Sequence, residues 1–105
     1  MANTITKPVG GMIAIAVVDE DWDFKSVFDS HQHQGIGVLE IELFDTGNST
    51  IVIKDGGASG ATIFKGSCTA TVNYKSLFYG KSIRPFIDVS DCTIGAAPVV
   101  LIKLA

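Results

Sequence analysis

The sequence predicts an all-β fold: a single β-sandwich or jelly-roll-like domain of about eight short antiparallel strands. Apolar and polar residues alternate with a period of two along most of the chain, which is typical of half-buried strands. Clusters of Gly, Asp, Asn and Ser separate the alternating runs and predict turns. The 105 residues suit one domain with its own core, so we assign residues 1–105 to it, with residues 1–10 as an extended N-terminal arm.

The first part of the chain holds one apolar strand and a less regular segment. Residues 12–18 are predicted as a strand with two apolar faces, which indicates burial on both sides or at a subunit contact. Residues 23–34 are the least strand-like, because their apolar side chains fall at helical spacing. We expect a short helix or an ordered loop there.

Residues 36–44 show the clearest alternation and predict a half-buried strand. Three aliphatic side chains fall on one face: Leu39, Ile41 and Leu43. The opposite face carries the two carboxylates and one valine: Val38, Glu40 and Glu42. We expect the first face to point into the core.

The second half of the chain is predicted to hold the remaining strands. They are expected at residues 50–54, 61–65, 68–74, 83–89 and 98–104, with a short apolar piece at 77–79. In the first of them, Ile51 and Ile53 are expected to point inward. Gly66 and Ser67 are interpreted as a turn. Pro85 lacks a backbone donor, so its strand lies at an edge or begins late.

Composition argues against several classes of function. The net charge is −3, and the basic residues are scattered singly, whereas a nucleic-acid-binding protein carries a basic field. The longest apolar run, residues 12–18, is far shorter than the ~20 residues of a membrane span. Only 18% of residues are charged, against about 25% in average domains. Such a surface stays partly apolar, which indicates a protein partner.

The two cysteines, Cys68 and Cys92, are too few for a disulfide-dense scaffold. The N-terminus has no basic segment followed by an apolar one, so we expect no export signal. Both thiols are therefore expected to be reduced and packed as small apolar groups. Pairing between them stays open if their strands are neighbours.

His31 and His33 are the sharpest metal-ligand signal. In an extended chain they point the same way, and imidazole suits Zn, Cu, Fe or Ni. Metal-dependent jelly-roll enzymes carry such a pair, but with a Glu a few residues on and a further His. Here the next Glu is Glu40, and there is no third His. We expect a polar loop and keep a small metal enzyme as an alternative.

Asp19, Asp21 and Asp23 are spaced like the start of an EF-hand loop. That loop needs Gly at its sixth position and Glu at its twelfth, and Phe24 and Ser30 stand there instead. A solvated acidic turn is expected, and a looser calcium loop stays open.

Gly80-Lys81-Ser82 is similar to the end of a P-loop, but Lys75 stands where that motif has its first glycine. No nucleophile with a neighbouring base is evident. We therefore expect no catalytic residues, no metal and no cofactor.

The second half of the chain carries a family resemblance. Residues 50–64, Thr50-Ile-Val-Ile-Lys-Asp-Gly-Gly-Ala-Ser-Gly-Ala-Thr-Ile-Phe64, read as strand, Gly/Ser turn and strand. Ser82-Ile-Arg-Pro-Phe86-Ile-Asp88 precedes a closing strand, and Met1-Ala-Asn-Thr-Ile-Thr forms a short leader. In these features the chain resembles small β-sandwich structural proteins encoded among the virion genes of tailed bacteriophages.

This resemblance implies a capsid decoration, or cement, protein. Such a protein is made in the host cytoplasm and binds the exterior of the capsid, where it clamps neighbouring subunits of the major capsid protein. It implies a homo-oligomer, with a trimer favoured over a dimer, and no catalytic residues.

We predict the contact residues to be Ile5 and Val9 in the arm, with Phe64 and Phe86. The two phenylalanines fall on the faces opposite the aliphatic residues of their strands. The alternative is a carbohydrate- or ligand-binding module of a phage fibre or tail, which would use exposed aromatic side chains and the acidic turn with calcium.

Overall fold

Two antiparallel β-sheets build the computed structural model, which describes residues 4–6, 11–17, 20–24 and 35–105. Within these residues there is no α-helix, and one 3-10 helix covers Val89–Asp91. The nine strands are β1 (Thr4–Thr6), β2 (Met12–Ala16), β3 (Trp22–Asp23), β4 (Ile36–Phe44), β5 (Ser49–Asp55), β6 (Thr62–Cys68), β7 (Tyr74–Ile83), β8 (Pro85–Ile87) and β9 (Val99–Leu104). The prediction of an all-β fold is confirmed.

The strands form one five-stranded and one four-stranded sheet. The order is β1-β2-β9-β4-β7 in the first and β3-β8-β5-β6 in the second. Every pairing is antiparallel. Strands β6 and β7 follow each other in the chain, yet they are edge strands of different sheets.

A single apolar core lies between the two sheets. Its aliphatic residues on the five-stranded sheet are Ile13, Ile15, Ile36, Val38, Ile41, Leu43, Ile83, Val100 and Ile102. The opposing sheet contributes Trp22, Ile51, Ile53, Phe64, Cys68 and Ile87. Each large apolar side chain that is buried in this way stabilises the fold by about 1.5–3 kcal/mol. Ile51 and Ile53 point inward, as the sequence predicts.

A β-bulge in β4 changes which of its residues face the core. The register of β4 to both β7 and β9 shifts between Val38 and Glu40. Against β9, Val38 opposes Leu104 and Glu40 opposes Lys103, so Leu39 is an extra residue. Val38 is therefore buried, and Leu39 is 48% exposed. The predicted faces of these two residues are wrong, because strict alternation does not hold across a bulge.

The connection between β6 and β7 differs from the prediction. Gly66 and Ser67 lie inside β6, and the turn follows at residues 69–72. The Thr69 amide donates to the Val72 carbonyl at 2.9 Å, and the Val72 amide donates to the Thr69 carbonyl at 3.3 Å. The predicted turn at Gly66 and the predicted strand at 68–74 are therefore wrong.

Gly66 serves packing rather than a turn. The rings of Phe64 and Tyr74 meet edge to face above it, with their centroids 5.5 Å apart. A Cβ at Gly66 would meet the Tyr74 ring and would lie 2.9 Å from Phe64 Cζ. The absent side chain thus makes room for an aromatic pair that joins the edges of the two sheets.

The predictions for Pro85 and for part of the N-terminal arm can also be compared with the structure. Pro85 is the first residue of β8, which lies between β3 and β5, so its strand begins late rather than at an edge. Residues 4–6 of the predicted arm form β1 and pair with β2 of the same chain. The rest of the arm and residues 25–34 lie outside the described residues.

Replacing Gly66 by alanine tests the aromatic packing. Because the new methyl group collides with two rings, Gly66→Ala is expected to lower the free energy of unfolding by about 1–3 kcal/mol, measured by urea denaturation. Gly57→Ala is the matched control, since a Cβ there meets nothing within 4 Å. It should leave stability unchanged or raise it by up to about 1 kcal/mol. Equal effects of the two changes would contradict the packing role of Gly66.

Candidate protein interface

Exposed apolar side chains are concentrated at one edge of the five-stranded sheet. Among the described residues, the large exposed ones are Leu39 (48%), Val72 (60%), Tyr74 (38%), Leu77 (54%) and Tyr79 (85%). They lie on β7, in the turn before it or at the bulge of β4 beside it. We call these five residues the β7 surface.

The bulge and a kink in β7 position this surface. Val38 opposes Lys81 and Glu40 opposes Leu77, so three residues of β7 face Leu39, and in this pairing the extra residues lie on β7. Within that interval Tyr79 has φ 55° and Gly80 has φ 83°. A positive φ is uncommon for an aromatic residue. The backbone therefore adopts an unusual conformation at the most exposed large apolar side chain of the described residues.

The stretch of sequence that contains β6 and β7 is basic. Residues 56–87 contain Lys65, Lys75, Lys81 and Arg84 but no Asp or Glu, although the whole chain has a net charge of −3. Lys65 and Lys81 make no ion pair within the described residues. The carboxylates nearest to β7 come from the neighbouring strand, where Glu40 lies opposite Leu77 and Glu42 lies opposite Lys75.

The carboxylates of β4 beside this surface are already neutralised. Glu40 accepts a hydrogen bond from Lys103 Nζ at 2.8 Å and lies 3.6 Å from Lys75 Nζ. The hydrogen bond from Lys103 is the main reason why the pKa of Glu40 is lowered. Glu42 also faces Lys103, at 3.9 Å. On this face of the sheet, Lys75 and Lys103 thus balance the charges of Glu40 and Glu42.

The predicted contact residues that the structure describes lie in different environments. Phe64 is 3% exposed and belongs to the core, so the expectation that it faces away from the core is wrong. Its side chain packs under Tyr74 and offers no area to a partner. Phe86 is half-buried in β8. Ile5 lies in β1, where its backbone pairs with Ile15, and Val9 lies outside the described residues.

Sequence reasoning missed the β7 surface, although a signal for it was present. The piece Leu77-Phe-Tyr79 is a run of large apolar residues between Lys75 and Lys81. An apolar run flanked by charges, in a segment without acidic residues, indicates a contact surface rather than a buried strand.

A second group of charged residues connects β5 to the 3-10 helix. Lys54 Nζ donates to Asp91 at 2.6 Å, to Asp88 at 2.9 Å and to the Ala58 carbonyl at 3.1 Å. The hydrogen bonds to Asp91 and Asp88 raise the pKa of Lys54 to about 12. Asp21 accepts the Val89 amide at 2.8 Å. These carboxylates are therefore occupied by the chain itself.

No metal centre is formed by the described part of the chain. There, no group of three or more His, Cys, Asp or Glu side chains could hold an ion. Of the three aspartates with calcium-loop spacing, Asp21 holds the 3-10 helix. His31, His33 and Asp19 lie outside the described residues, so their roles stay predictions.

The two cysteines are unpaired thiols in buried or half-buried positions. Burial raises the pKa of both Cys68 and Cys92. The Cys92 thiol donates to the Asp88 carbonyl at 3.2 Å, and its sulfur accepts the Val52 amide at 3.2 Å. Because the reactive form is the thiolate, both groups are suited to packing rather than to nucleophilic chemistry.

Asp45 is a buried carboxylate at the end of β4. It accepts hydrogen bonds from the Ser49 hydroxyl and from the Ala97 amide, the latter at 2.6 Å. Ser49 in turn accepts the Gly95 amide at 2.7 Å. Burial alone would raise the pKa of Asp45, but these and further backbone hydrogen bonds hold it below its usual value. The network fastens the loop before β9 to the β4–β5 turn.

One surface pocket is lined mainly by serine and threonine residues. It has a volume of about 240 Å³ and is lined by Asn48, Ser49, Thr50, Ser67, Cys68, Thr69 and Thr93. Thr50 and Ser67 hydroxyls lie 2.9 Å apart within it. A second pocket, of about 400 Å³, is lined by Ala16, Val17 and residues 94–99. Neither lining contains an Asp, Glu, Lys, Arg or His side chain.

Within the described ranges, no helix is long and apolar enough to cross a membrane. Comparisons with protein-family models, with curated proteins and with solved structures give no match. The exposed apolar surface and the distribution of charge are thus the observations that bear on function.

Removing the Asp45 carboxylate tests its role in stability. Asp45→Ala leaves buried donors without an acceptor, and we expect the free energy of unfolding at pH 7 to fall by about 1–3 kcal/mol. Since the folded pKa is depressed, the stabilisation is present above the unfolded pKa of about 3.9 and is lost as the pH falls through the folded value. The gap in the free energy of unfolding between wild type and variant should therefore shrink as the pH falls.

Urea denaturation at pH 7 and at several lower pH values measures this gap. Thr46→Ala, at an exposed position in the same turn, is the control and should change little. A gap that is independent of pH would show that the ionised carboxylate is not the stabilising group.

Proposed function

We propose that the protein is a non-enzymatic virion structural protein of the capsid decoration type. It binds the outer surface of the capsid shell and stabilises it by clamping neighbouring subunits of the major capsid protein. The observation that carries this proposal is the β7 surface, where the large exposed apolar side chains of the described residues are gathered. Leu77 shares the outer face of the sheet with Glu40, and Tyr74 shares the inner face with Leu43, so the exposed apolar area lies on both sides of the β7 edge. Exposed apolar area on a small domain is typical of protein-binding sites.

The composition of the β7 surface suits a protein contact. Tyr79 is 85% exposed, and tyrosine is among the residues that contribute most to binding when a partner buries them. Leu77 adds aliphatic area, and Lys75 and Lys81 supply a polar rim. An aromatic anchor, an aliphatic neighbour and a charged rim are the usual parts of a transient or assembly interface.

The polar groups of the described residues support a structural rather than a catalytic role. Asp45 is saturated by hydrogen bonds from the chain, and Asp88 and Asp91 are paired with Lys54. Both thiols have raised pKa values. Activated nucleophiles and acid–base pairs need groups that are free to exchange protons with a substrate.

Stabilisation of a shell follows from mass action. A ligand that binds the expanded shell and not its precursor stabilises the expanded state by its binding free energy. A trimer or dimer would gain further affinity through multivalent contacts. For this self-association we propose Phe86 together with the N-terminal residues Ile5 and Val9.

A second candidate function is a carbohydrate- or ligand-binding module of a phage fibre or tail. The hydroxyl-lined pocket of about 240 Å³ favours it, because hydroxyl and amide groups complement a small polar ligand. If this function holds, monosaccharides should raise the melting temperature of the wild type but not of Thr50→Val, which removes a hydroxyl from the lining. No shift with a panel of sugars, with and without calcium, would contradict it.

Co-sedimentation with capsid shells tests the principal proposal. The shells are assembled from the major capsid protein encoded in the same genome and are expanded before mixing. Leu77→Asp and Tyr79→Asp each introduce a charge into the β7 surface, and we expect each to weaken binding at least about tenfold. Ala58→Asp, at an exposed position in the β5–β6 connection, should bind as the wild type does.

The far-ultraviolet circular dichroism of all three variants should match that of the wild type, because the altered side chains are exposed. Failure of the wild type to bind expanded shells would contradict the decoration function. Wild-type binding by Leu77→Asp and Tyr79→Asp would show that the contact lies elsewhere on the molecule.

A further inference from the structure

We propose that Asp55 is a site of spontaneous covalent modification, its conversion to isoaspartate, and that Arg84 holds this site closed in the folded protein. The reaction needs water but neither an enzyme nor a partner, so the inference goes beyond the proposed function and does not depend on it. It assigns a protective role to contacts that would otherwise count as one weak surface ion pair.

The pair Asp55-Gly56 has the sequence that favours this reaction. The backbone nitrogen of the residue after an aspartate can attack the carboxyl carbon of that aspartate. Glycine hinders this attack least, because it has no Cβ and its backbone is the least restricted. No other Asp or Asn of the chain is followed by glycine. The chemistry therefore singles out position 55.

The reaction has two steps, which release and then consume one water molecule. In the first, the Gly56 nitrogen forms a bond with Cγ of the protonated Asp55 side chain, and the carboxyl OH leaves as water with the amide proton. The product is a succinimide ring. In the second, water adds to a ring carbonyl and opens the ring. Opening at the main-chain carbonyl of residue 55 leaves the chain running through Cβ and Cγ, which is isoaspartate.

Arg84 binds both reacting groups through its own backbone. Its N–H donates to Asp55 Oδ1 at 3.0 Å, and its carbonyl accepts the Gly56 N–H at 2.7 Å. The nitrogen that has to attack is thus engaged as a donor, and the carboxylate that it has to reach is held by another donor. Ring closure requires both hydrogen bonds to break, so the folded protein reacts only when this corner opens locally.

The side chain of Arg84 covers the same corner. Its Nη2 lies 3.4 Å from Asp55 Oδ2. A Cβ built on Gly56 would lie 3.4 Å from Arg84 Cζ, so the guanidinium group lies over this glycine. An ion pair as exposed as this one adds little to stability. Its position beside the reacting bond, however, restricts the movement of the carboxylate towards the nitrogen.

The corner between β5 and β8 uses both residues of the reactive pair. Gly56 has φ 88°, a conformation that glycine adopts without strain. Asp55 is the last residue of β5 and opposes Pro85, which has no N–H to donate. The Asp55 carboxylate instead accepts the N–H of the preceding residue, Arg84. The contacts that protect the pair are therefore the ones that build the corner.

Isoaspartate formation in folded and unfolded wild-type protein tests the inference. The full-length protein is incubated at pH 7 with and without a denaturing concentration of guanidinium chloride. Isoaspartate at position 55 is measured as resistance to an endoproteinase that cleaves before aspartate but not before isoaspartate. We expect formation to be at least about tenfold slower in the folded protein, because the reaction waits for local opening. Equal rates in the two states, or no isoaspartate at position 55 in denaturant, would overturn the inference.

A matched pair of variants tests the part played by the side chain. Arg84→Ala removes the guanidinium group but keeps both backbone hydrogen bonds, and we expect it to react about two- to fivefold faster than the wild type when folded. Lys65→Ala removes another exposed cation, which makes no ion pair within the described residues, and should react at the wild-type rate. All three proteins should react equally in denaturant, where these contacts are absent.

An unchanged rate in Arg84→Ala, or an equal acceleration by Lys65→Ala, would overturn the role of the Arg84 side chain. Amide hydrogen exchange tests the backbone contacts independently. The Gly56 amide should exchange more slowly than that of Gly57, which donates no backbone hydrogen bond within the described residues. Equal exchange of these two amides would show that Arg84 does not hold the attacking nitrogen, and it would overturn the inference.

Discussion

The β-bulge in β4 is the feature on which the rest of the structure depends. β4 is the one strand that pairs with both β7 and β9, and its register to both shifts between Val38 and Glu40. The shift lets Val38 and Ile41, which are three positions apart, point into the same core. Without it, strict alternation would either expose Ile36 and Val38, or expose Ile41 and Leu43 and bury Glu40 and Glu42, and burial of a carboxylate is costly unless it is paired.

The bulge also connects the core to the proposed function. The residue it displaces, Leu39, lies on the outside, and opposite it the backbone of β7 turns through the positive φ angles of Tyr79 and Gly80. The extra residue of β4 against β9 accounts for the exposed Leu39, and the extra residues of β7 opposite it end the regular edge.

The sequence predicts the all-β class and the bounds of β4, because alternation between apolar and polar residues reports burial directly. It does not reveal the bulge, since an extra leucine in an alternating strand leaves no mark in composition. The sequence predicts a turn at Gly66 because glycine often ends strands, whereas in the structure this glycine makes room for the Tyr74 ring. Phe64 illustrates the same limit: which face of β6 is buried depends on the opposing sheet, not on the local pattern.

The central claim is that β7 is an open edge strand. Amide hydrogen exchange along β7 in the free protein tests this claim most directly. The account predicts alternation between residues 74 and 78: amides bonded to β4 exchange slowly, and those between them exchange at rates close to those of Ala70 and Thr71, whose amides make no backbone hydrogen bond within the described residues. The central strand β9 should be protected throughout. Uniform slow exchange along β7, equal to that of β9, would show that its outer side is already paired and would contradict the account.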